Sequence, residues 1–441
     1  MSGRRRLVVH LALVATVLAG CAEAPTDETS PAAPEPASPT TAPTVEQAPD
    51  LVVVGHATRP QLHLTIAQAR RLTSGRLTRW RGMQVVADLP PRRAVAAVER
   101  DPGTLAVVPL AAVGPTVVAA RVDGVDPVRE RRDAVELTVV GDLMLTRGVT
   151  DPVVALAPMA ALLRRADLAV GNLESTLSTR GVPTQGSDSF GASPALVGVL
   201  RSAGFEALSL ANNHAGDFGD DALLDTVGAL RRSAIRPFGA GRDLEAAARP
   251  AIVERGGVRF GFLGFNAIGE TPRAGEGAPG ALSVRMPPRT GPLVRADLDR
   301  VLDAVRRTAR EVDVVVVLPH WGAQYTHVPE PVQREVGRAL VGAGADLVVG
   351  GHPHWVQGID VVGRVPVLHS LGNFVFDMDF MAQTMQGVVL EATFWGARLR
   401  AIRLVPYAMD PQTFAPNRVG GRAAAQVLDD VWSSSTGPFA R

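Results

Sequence analysis

The stretch VDVVVVLPHWG, residues 312–322, decides the fold. Its valines and Leu318 run without alternation, so both faces of the strand must be buried. A histidine, His320, then stands at the carboxyl end of that strand. The same design recurs along the chain in ELTVVGD (136–142), ADLAVGN (166–172), EALSLANN (206–213), VRFGFLGFN (258–266), ADLVVGGHPH (345–354) and VPVLHSLGN (365–373). Between them lie helical patterns such as DDALLDTVGALRRSAI (220–235) and VQREVGRALVGAGA (332–345). Doubly buried strands alternating with helices predict an α/β domain over residues 134–411. VVLEATF and ARLRAIRLVPY then shift toward alternation and predict an antiparallel hairpin. Residues 412–441 lose the pattern and are expected to wrap or fray as a tail.

In open α/β sheets ligands collect outside the carboxyl ends of the strands. Asp142, Asn172 with Glu174, Asn212 with Asn213 and His214, His320, and His352 with His354 all fall at such ends. Singly, each has a plain structural explanation as a cap, a turn former or a solvated side chain. Together they predict one site. Mixed imidazole, carboxylate and amide-oxygen donors suit Mn, Fe or Zn rather than Ca or an all-thiolate Zn site. Asp142, Glu174, Asn213, His320, His352 and His354 suffice for two incomplete shells around two divalent ions. Such a pair clamps the attacking and leaving oxygens of a displacement and lowers the pKa of bound water. Gly350 and Gly351 are expected to turn the backbone so that His352 and His354 aim inward.

Composition narrows the alternatives. All 45 basic residues are arginine, which excludes Schiff-base lysine chemistry and the P-loop lysine. The net charge of +1 offers no global field for nucleic acid. Residues 1–20 carry three arginines, an apolar run from Leu7 to Leu18 and then small residues, the order of an export signal. Leu18-Ala19-Gly20-Cys21 resembles the lipobox of bacterial lipoproteins, in which the cysteine is lipidated. That resemblance implies anchoring through Cys21 to the outer face of the cytoplasmic membrane. Residues 21–50 are rich in Pro, Ala, Thr, Ser and Glu and read as a disordered tether.

Residues 51–133 read as a separate small α/β domain. LTIAQARRLTSGRLTRWRG (64–82) and DPGTLAVVPLAAVGPTVVAARVDGVDP (101–127) resemble parts of periplasmic phosphate-binding proteins. The likeness covers too little for a two-lobed binder, so this is a reduced single lobe or a structural spacer.

GDLMLTRGV (141–149), GNLESTLS (171–178), LSLANNHAGDFG (208–219), LPHWG (318–322), GGHPHWVQGID (350–360) and HSLGNFVFD (369–377) together resemble the bacterial CapA family, linked to poly-γ-glutamate capsule assembly. The resemblance implies a calcineurin-like metallophosphoesterase domain, a four-layer α/β/β/α sandwich. It implies Asp142 as the first-strand metal aspartate, Glu174 as the bridging carboxylate and Asn213 as an amide ligand. His320, His352 and His354 would be the remaining ligands, His214 the proton donor to a leaving group, and Arg147 an anion clamp. One position departs from the wider superfamily, which has a histidine two residues after Asp142 where this chain has Met144. Three functions stay open: a metal-dependent hydrolase acting on a phosphoester or anionic cell-surface polymer; a non-catalytic polymer-binding accessory of a capsule-synthase complex; and a nucleotidase-like phosphomonoesterase.

Overall fold

A computed structural model describes residues 50–441. The export signal, Cys21 and all but the last residue of the 21–50 tether lie outside the described residues. Among those described, no helix is long and apolar enough to cross a membrane.

The small domain has a five-stranded sheet of β1 (Leu51–His56), β2 (Arg79–Trp80), β3 (Met83–Val86), β4 (Thr104–Pro109) and β5 (Val117–Ala119), in the order β2-β3-β4-β1-β5. Alternation along β1 sends Val53 to one face, toward Leu72 of helix α1 (Ile66–Thr73), and Val54 to the other, toward Ala94 and Val98 of α2 (Pro91–Arg100). Thr65 caps α1 by accepting from the Gln68 amide N–H, while Gln68 Oε1 accepts from the Thr65 N–H. Trp395 and Ala401 of the following domain pack onto the α2 side, so the small sheet is continuous with it in one compact unit.

The larger domain is built on two main sheets. The eight-stranded sheet contains β6 (Ala134–Leu143), β7 (Leu168–Leu173), β8 (Ala207–Ser209), β9 (Arg236–Phe238), β16 (Asn373–Val375), β17 (Gln386–Trp395), β18 (Arg398–Met409) and β19 (Pro416–Arg418). The six-stranded sheet contains β10 (Ala251–Arg255), β11 (Val258–Asn266), β12 (Val314–His320), β13 (Leu347–Val349), β14 (Ile359–Val362) and β15 (Val365–Leu368). Strands β6 to β9 run parallel, as do β11, β12, β13 and β15. The expected hairpin forms as antiparallel β17 and β18.

One core cluster joins the facing surfaces of the two sheets, with Leu137, Val139 and Val170 against Phe260, Phe262, Val314 and Val316. A second covers the outer face of the first sheet with α3 (Pro152–Arg165), α4 (Leu196–Ala203) and α5 (Asp220–Arg232). A third covers the outer face of the second sheet with α6 (Arg295–Thr308) and α7 (Pro331–Ala343). The architecture is the α/β/β/α sandwich. The odd and even residues of each strand go to different cores, Val314 and Val316 inward and Val315 and Val317 outward. This division is why the strands read as unbroken apolar runs.

Residues 412–441, expected to wrap or fray, wrap onto the domain. They form β19 and helix α8 (Gly421–Ser433), and Val427, Val431, Trp432 and Phe439 are buried in the inter-sheet core. The apolar face of α8 covers an edge of the sandwich, and its short amphipathic pattern was hidden among alanines and polar residues.

Candidate metal centre

Strand register gathers the site. Asp142 pairs with Asn172 across β6 and β7, and Asn172 with Ser209 across β7 and β8. Asn373 pairs with Asp142 on the other edge of β6. In the second sheet Asn266 pairs with His320, and His320 bridges to Gly351. The carboxyl ends of both sheets therefore meet at one place. The β6–β7 register slips between Val139 and Asp142, a bulge-like irregularity that re-aims the Asp142 side chain. Gly141 is required there, because a Cβ would lie 1.8 Å from the Gly372 carbonyl oxygen.

Asp142, Glu174 and His320 form a buried group whose ligand atoms lie within 4.8 Å of one another. His320 Nε2 is 3.5 Å from Glu174 Oε1, and His320 Nδ1 is 4.0 Å from Asp142 Oδ1. Asn213 Oδ1 lies 2.9 Å from His320 Nε2. The rings of His352 and His354 follow, with centroids 5.0 Å between His320 and His352 and 5.7 Å between His352 and His354. The structure thus brings Asp142, Glu174, Asn213, His320, His352 and His354 into one cluster. His214 joins it with Nε2 3.9 Å from Glu174 Oε1. His214 and Asn213, 8% and 7% exposed, are the least buried members of the cluster.

Burial and mutual proximity perturb the charges of the cluster. In the ion-free chain, burial and the neighbouring Glu174 push Asp142 up to about 7. Burial also acts against ionised Glu174, but His320 and His214 outweigh it and bring Glu174 down to about 2. Burial, then His320 and His354, hold His352 well below the ordinary imidazole value. Glu174 Oε1 and both ring nitrogens of His352 are buried without any hydrogen-bond partner. Lone pairs left unsatisfied in a dry site cost about 1–3 kcal/mol each. The residues fit a divalent metal, with nitrogen and oxygen donors of the kind that Mn, Fe and Zn accept.

Neighbours of the cluster set its orientation. Asn373 donates Nδ2–H to the Thr384 carbonyl, so its Oδ1 faces His354 Nδ1 at 2.8 Å, while Gln324 Nε2 approaches His354 Nε2 at 3.3 Å. Asn172, absent from the expected ligand set, places Nδ2 at 2.8 Å from Asp142 Oδ1 and 3.2 Å from Glu174 Oε2. That amide orientation follows from Asn212, which accepts the His214 N–H and therefore donates to Asn172 Oδ1 at 2.9 Å. The Asn-Asn-His and Asn-x-Glu spacings carried this signal in the sequence.

Two expectations change. Gly350 and Gly351 do not supply a left-handed turn; His352 (φ 97°) and His354 (φ 59°) themselves adopt positive φ. The glycines are needed for close approach: a Cβ on Gly351 would meet Asp142 Oδ1 at 2.5 Å, and one on Gly350 the His369 carbonyl at 2.1 Å. The positive φ of two histidines is strain of the sort stored at functional sites. Arg147, expected as an anion clamp, is engaged by Asp377 through both Nε and Nη2, and its guanidinium lies over the Phe190 ring at 4.3 Å. Met144 is buried in the outer core of the first sheet rather than in the site.

His369 is buried and bonds Asp360 through Nε2 at 3.0 Å. His327 bonds the Val356 carbonyl at 2.8 Å. His56 bonds Thr58 within the small domain. None of the three joins the cluster.

The sequence model of the family described as "Bacterial capsule synthesis protein PGA_cap" matches residues 136–378, a span containing the whole cluster. The small domain lies outside it. The chain is 32% identical over 296 residues to the "Capsule biosynthesis protein CapA" of Bacillus anthracis, covering 63% of this chain and 70% of that one. It is 31% identical over 255 residues to the "PGA biosynthesis protein CapA" of Bacillus subtilis, covering 56% and 64%. A "Probable polyglutamine synthesis accessory protein" of Mycobacterium tuberculosis is 31% identical over 219 residues, covering 48% and 56%. The last two matches span under two thirds of the relatives' own lengths. On the family match and the B. anthracis relative, the chain belongs to the CapA-type bacterial capsule synthesis family.

Proposed function

We propose that this chain is a metal-dependent hydrolase of phosphoester or related polar bonds in the synthesis or processing of poly-γ-glutamate or another anionic cell-surface polymer. It would be exported and held on the outer face of the cytoplasmic membrane by a lipid on Cys21, beside other capsule-synthase components. The names of the relatives support the setting. The chemistry rests on one observation: the buried, partnerless Glu174 Oε1 lies between His320 at 3.5 Å and His214 at 3.9 Å.

Asp142, Glu174 and His320 would hold one divalent ion, and Asn213, His352 and His354 would complete a second shell sharing Glu174. Bound ions supply Lewis acidity and lower the pKa of coordinated water. His214 Nε2 faces the cluster and gives its proton to the leaving-group oxygen as the scissile bond breaks. Its Nδ1 is bonded to Asp217, so Nε2 is the nitrogen free for that transfer.

The test uses the full chain reconstituted with Mn, Fe or Zn. Metal content of about two equivalents is expected by the two-metal logic, together with phosphate release from phosphoesters or cleavage of a glutamyl oligomer. Asp142→Asn should lose metal, and His214→Ala should keep metal while losing turnover. Absence of bound metal with unchanged stability overturns the reading.

A second reading is supported by Met144, a core residue at the position where the wider superfamily has a ligand. On that reading the ions bind polymer carboxylates and the chain is an accessory. Metal-dependent binding of a glutamyl oligomer without turnover, unaffected by His214→Ala, selects it.

A further inference from the structure

A cavity of about 510 Å³, lined by no residue of the metal cluster, lies where the small domain, strand β18 and helix α8 meet. One of its walls is an open strand edge. Along one side β18 pairs with the whole of β17. Along the other, β19 covers only Tyr407 to Met409, and then the Val419 N–H donates to the Pro406 carbonyl at 3.1 Å. Beyond that bond the chain turns away into α8 at Gly421. In an antiparallel pair the direction of backbone hydrogen bonding alternates residue by residue. The outward Pro406 carbonyl therefore gives the same direction to the backbone N–H and C=O of Leu404 and Ile402, where no described strand lies opposite. Both residues line the cavity, and across it stands β5, the edge strand of the small sheet. The two faces of the open edge differ. Ile402 and Leu404 pack with Leu428 and Trp432 of α8, whereas Ala401, on the opposite face, packs against the small domain. The lining carboxylates are taken, Asp126 by Gln61 and Asp429 by Arg441. Arg59 stands exposed at the rim on the small-domain side.

We propose that this cleft binds an extended peptide segment of a partner protein, added as a strand to the β18 edge at Ile402–Leu404, with apolar residues toward α8 alternating with acidic residues toward Arg59. Three physical reasons select that ligand. An open edge presents donors and acceptors together, which an alkyl chain or a small anion cannot match and a second backbone can. Successive side chains of an added strand point to opposite faces, so the apolar wall of Leu428 and Trp432 and the cationic rim at Arg59 are read by alternate residues. Exposed edges are ordinarily blunted by charge, proline or a covering element, and here the helix that follows β19 swings aside instead of covering the edge. The proposal concerns association and is independent of any chemistry at the metal cluster.

The experiment uses the full chain and a fluorescein-labelled peptide, Val-Glu-Val-Glu-Val, followed by fluorescence anisotropy. The alternating peptide should bind saturably. A peptide of the same composition in blocks, Glu-Glu-Val-Val-Val, should bind at least about 10-fold more weakly, because it cannot satisfy both faces at once. The alternating peptide N-methylated throughout should not bind, since its backbone donors are gone. Ala424→Phe puts a ring into the cavity from α8 and should abolish binding. Arg59→Glu, on an exposed residue that leaves the fold intact, should weaken binding about 10-fold and transfer the preference to Val-Lys-Val-Lys-Val. Zn²⁺ binding at the metal cluster should be unchanged in both variants, which shows that each is folded. Failure of the alternating peptide to bind wild type overturns the proposal, as does equal binding of the block or the N-methylated peptide. Saturable binding of dodecanoate that Ala424→Phe removes, with no binding of the peptide, overturns it in favour of a lipid site.

Discussion

Asn373 Oδ1 and His354 Nδ1 lie 2.8 Å apart, joining the strand that flanks Asp142 to the loop that carries the two closely spaced histidines. The pair ties a residue of the first sheet to one of the second. It also occupies Nδ1 of His354, so coordination by that ring would use Nε2, which Gln324 Nε2 approaches at 3.3 Å. Removing the amide acceptor with Asn373→Leu should weaken metal binding about 10-fold to 100-fold, the usual cost of losing an outer partner of a metal-bound histidine. Chelator-competition titration with Zn²⁺ measures it.

The two glycines before His352 should fail differently. A methyl on Gly350 strikes the His369 carbonyl at 2.1 Å and Trp321 Nε1 at 2.4 Å, both held in the fold. Gly350→Ala should therefore destabilise the chain by about 2–3 kcal/mol, as overpacking does. A methyl on Gly351 strikes Asp142 Oδ1 at 2.5 Å. Gly351→Ala should lose metal affinity more than stability. Thermal unfolding and metal titration, run together on both variants, separate the two effects.

Metal removal should expose a pH dependence with a definite sign. Burial and Glu174 raise Asp142 to about 7 in the ion-free fold, above its unfolded value. The fold then holds a proton that the unfolded chain releases between about pH 4 and 7. In the chelated protein Asp142 should therefore contribute a component of stability that falls as pH rises through that window, on the order of a few kcal/mol, opposite in sign to the contribution of His352, which the fold holds below its unfolded value. Asp142→Asn should remove that component and leave a slope more positive than in wild type. Melting temperatures at pH 5 and pH 8 in chelator give the answer, and a wild-type stability that rises with pH as steeply as in the variant contradicts it.

Glu391 should hold the small domain to the larger one. Its buried carboxylate accepts from Arg129, which lies before β6, and from Arg165 and Arg403. These cations hold Glu391 below the ordinary carboxylate value against the effect of burial. Glu391→Leu leaves Arg129, whose side chain is only 11% exposed, without this partner. A loss of about 3 kcal/mol is expected, the scale for breaking a buried ion pair from one side. Denaturant unfolding measures it, and Glu391→Gln should retain part of the stability because the amide oxygen still accepts a hydrogen bond.

Much of this architecture was legible in one dimension. Runs such as VVVVL cannot be half-exposed, so the doubly buried strands, their alternation with helices and the placing of His320, His352 and Asn213 at strand ends followed from periodicity. The closing helix Gly421–Ser433 was not legible, because its buried positions are few and only the inter-sheet core gives them a partner. The roles of Gly350 and Gly351 were misread for a related reason. A glycine's local freedom is visible in sequence, but the atom that would collide with its missing side chain belongs to a distant strand.

Sequence by itself determined the α/β periodicity, the residue types at the strand ends and the family. Tertiary structure alone decided which of those residues share a site, which groups the ring nitrogens of each histidine meet, and that Arg147 is engaged by Asp377. Strand periodicity is a local consequence of burial on each face and is written residue by residue. Side-chain orientation depends on contacts between separate segments of the chain, such as the stack of Phe190 on His214 and the hydrogen bond of Asn373 with His354, and those exist only once the sheets have closed on each other.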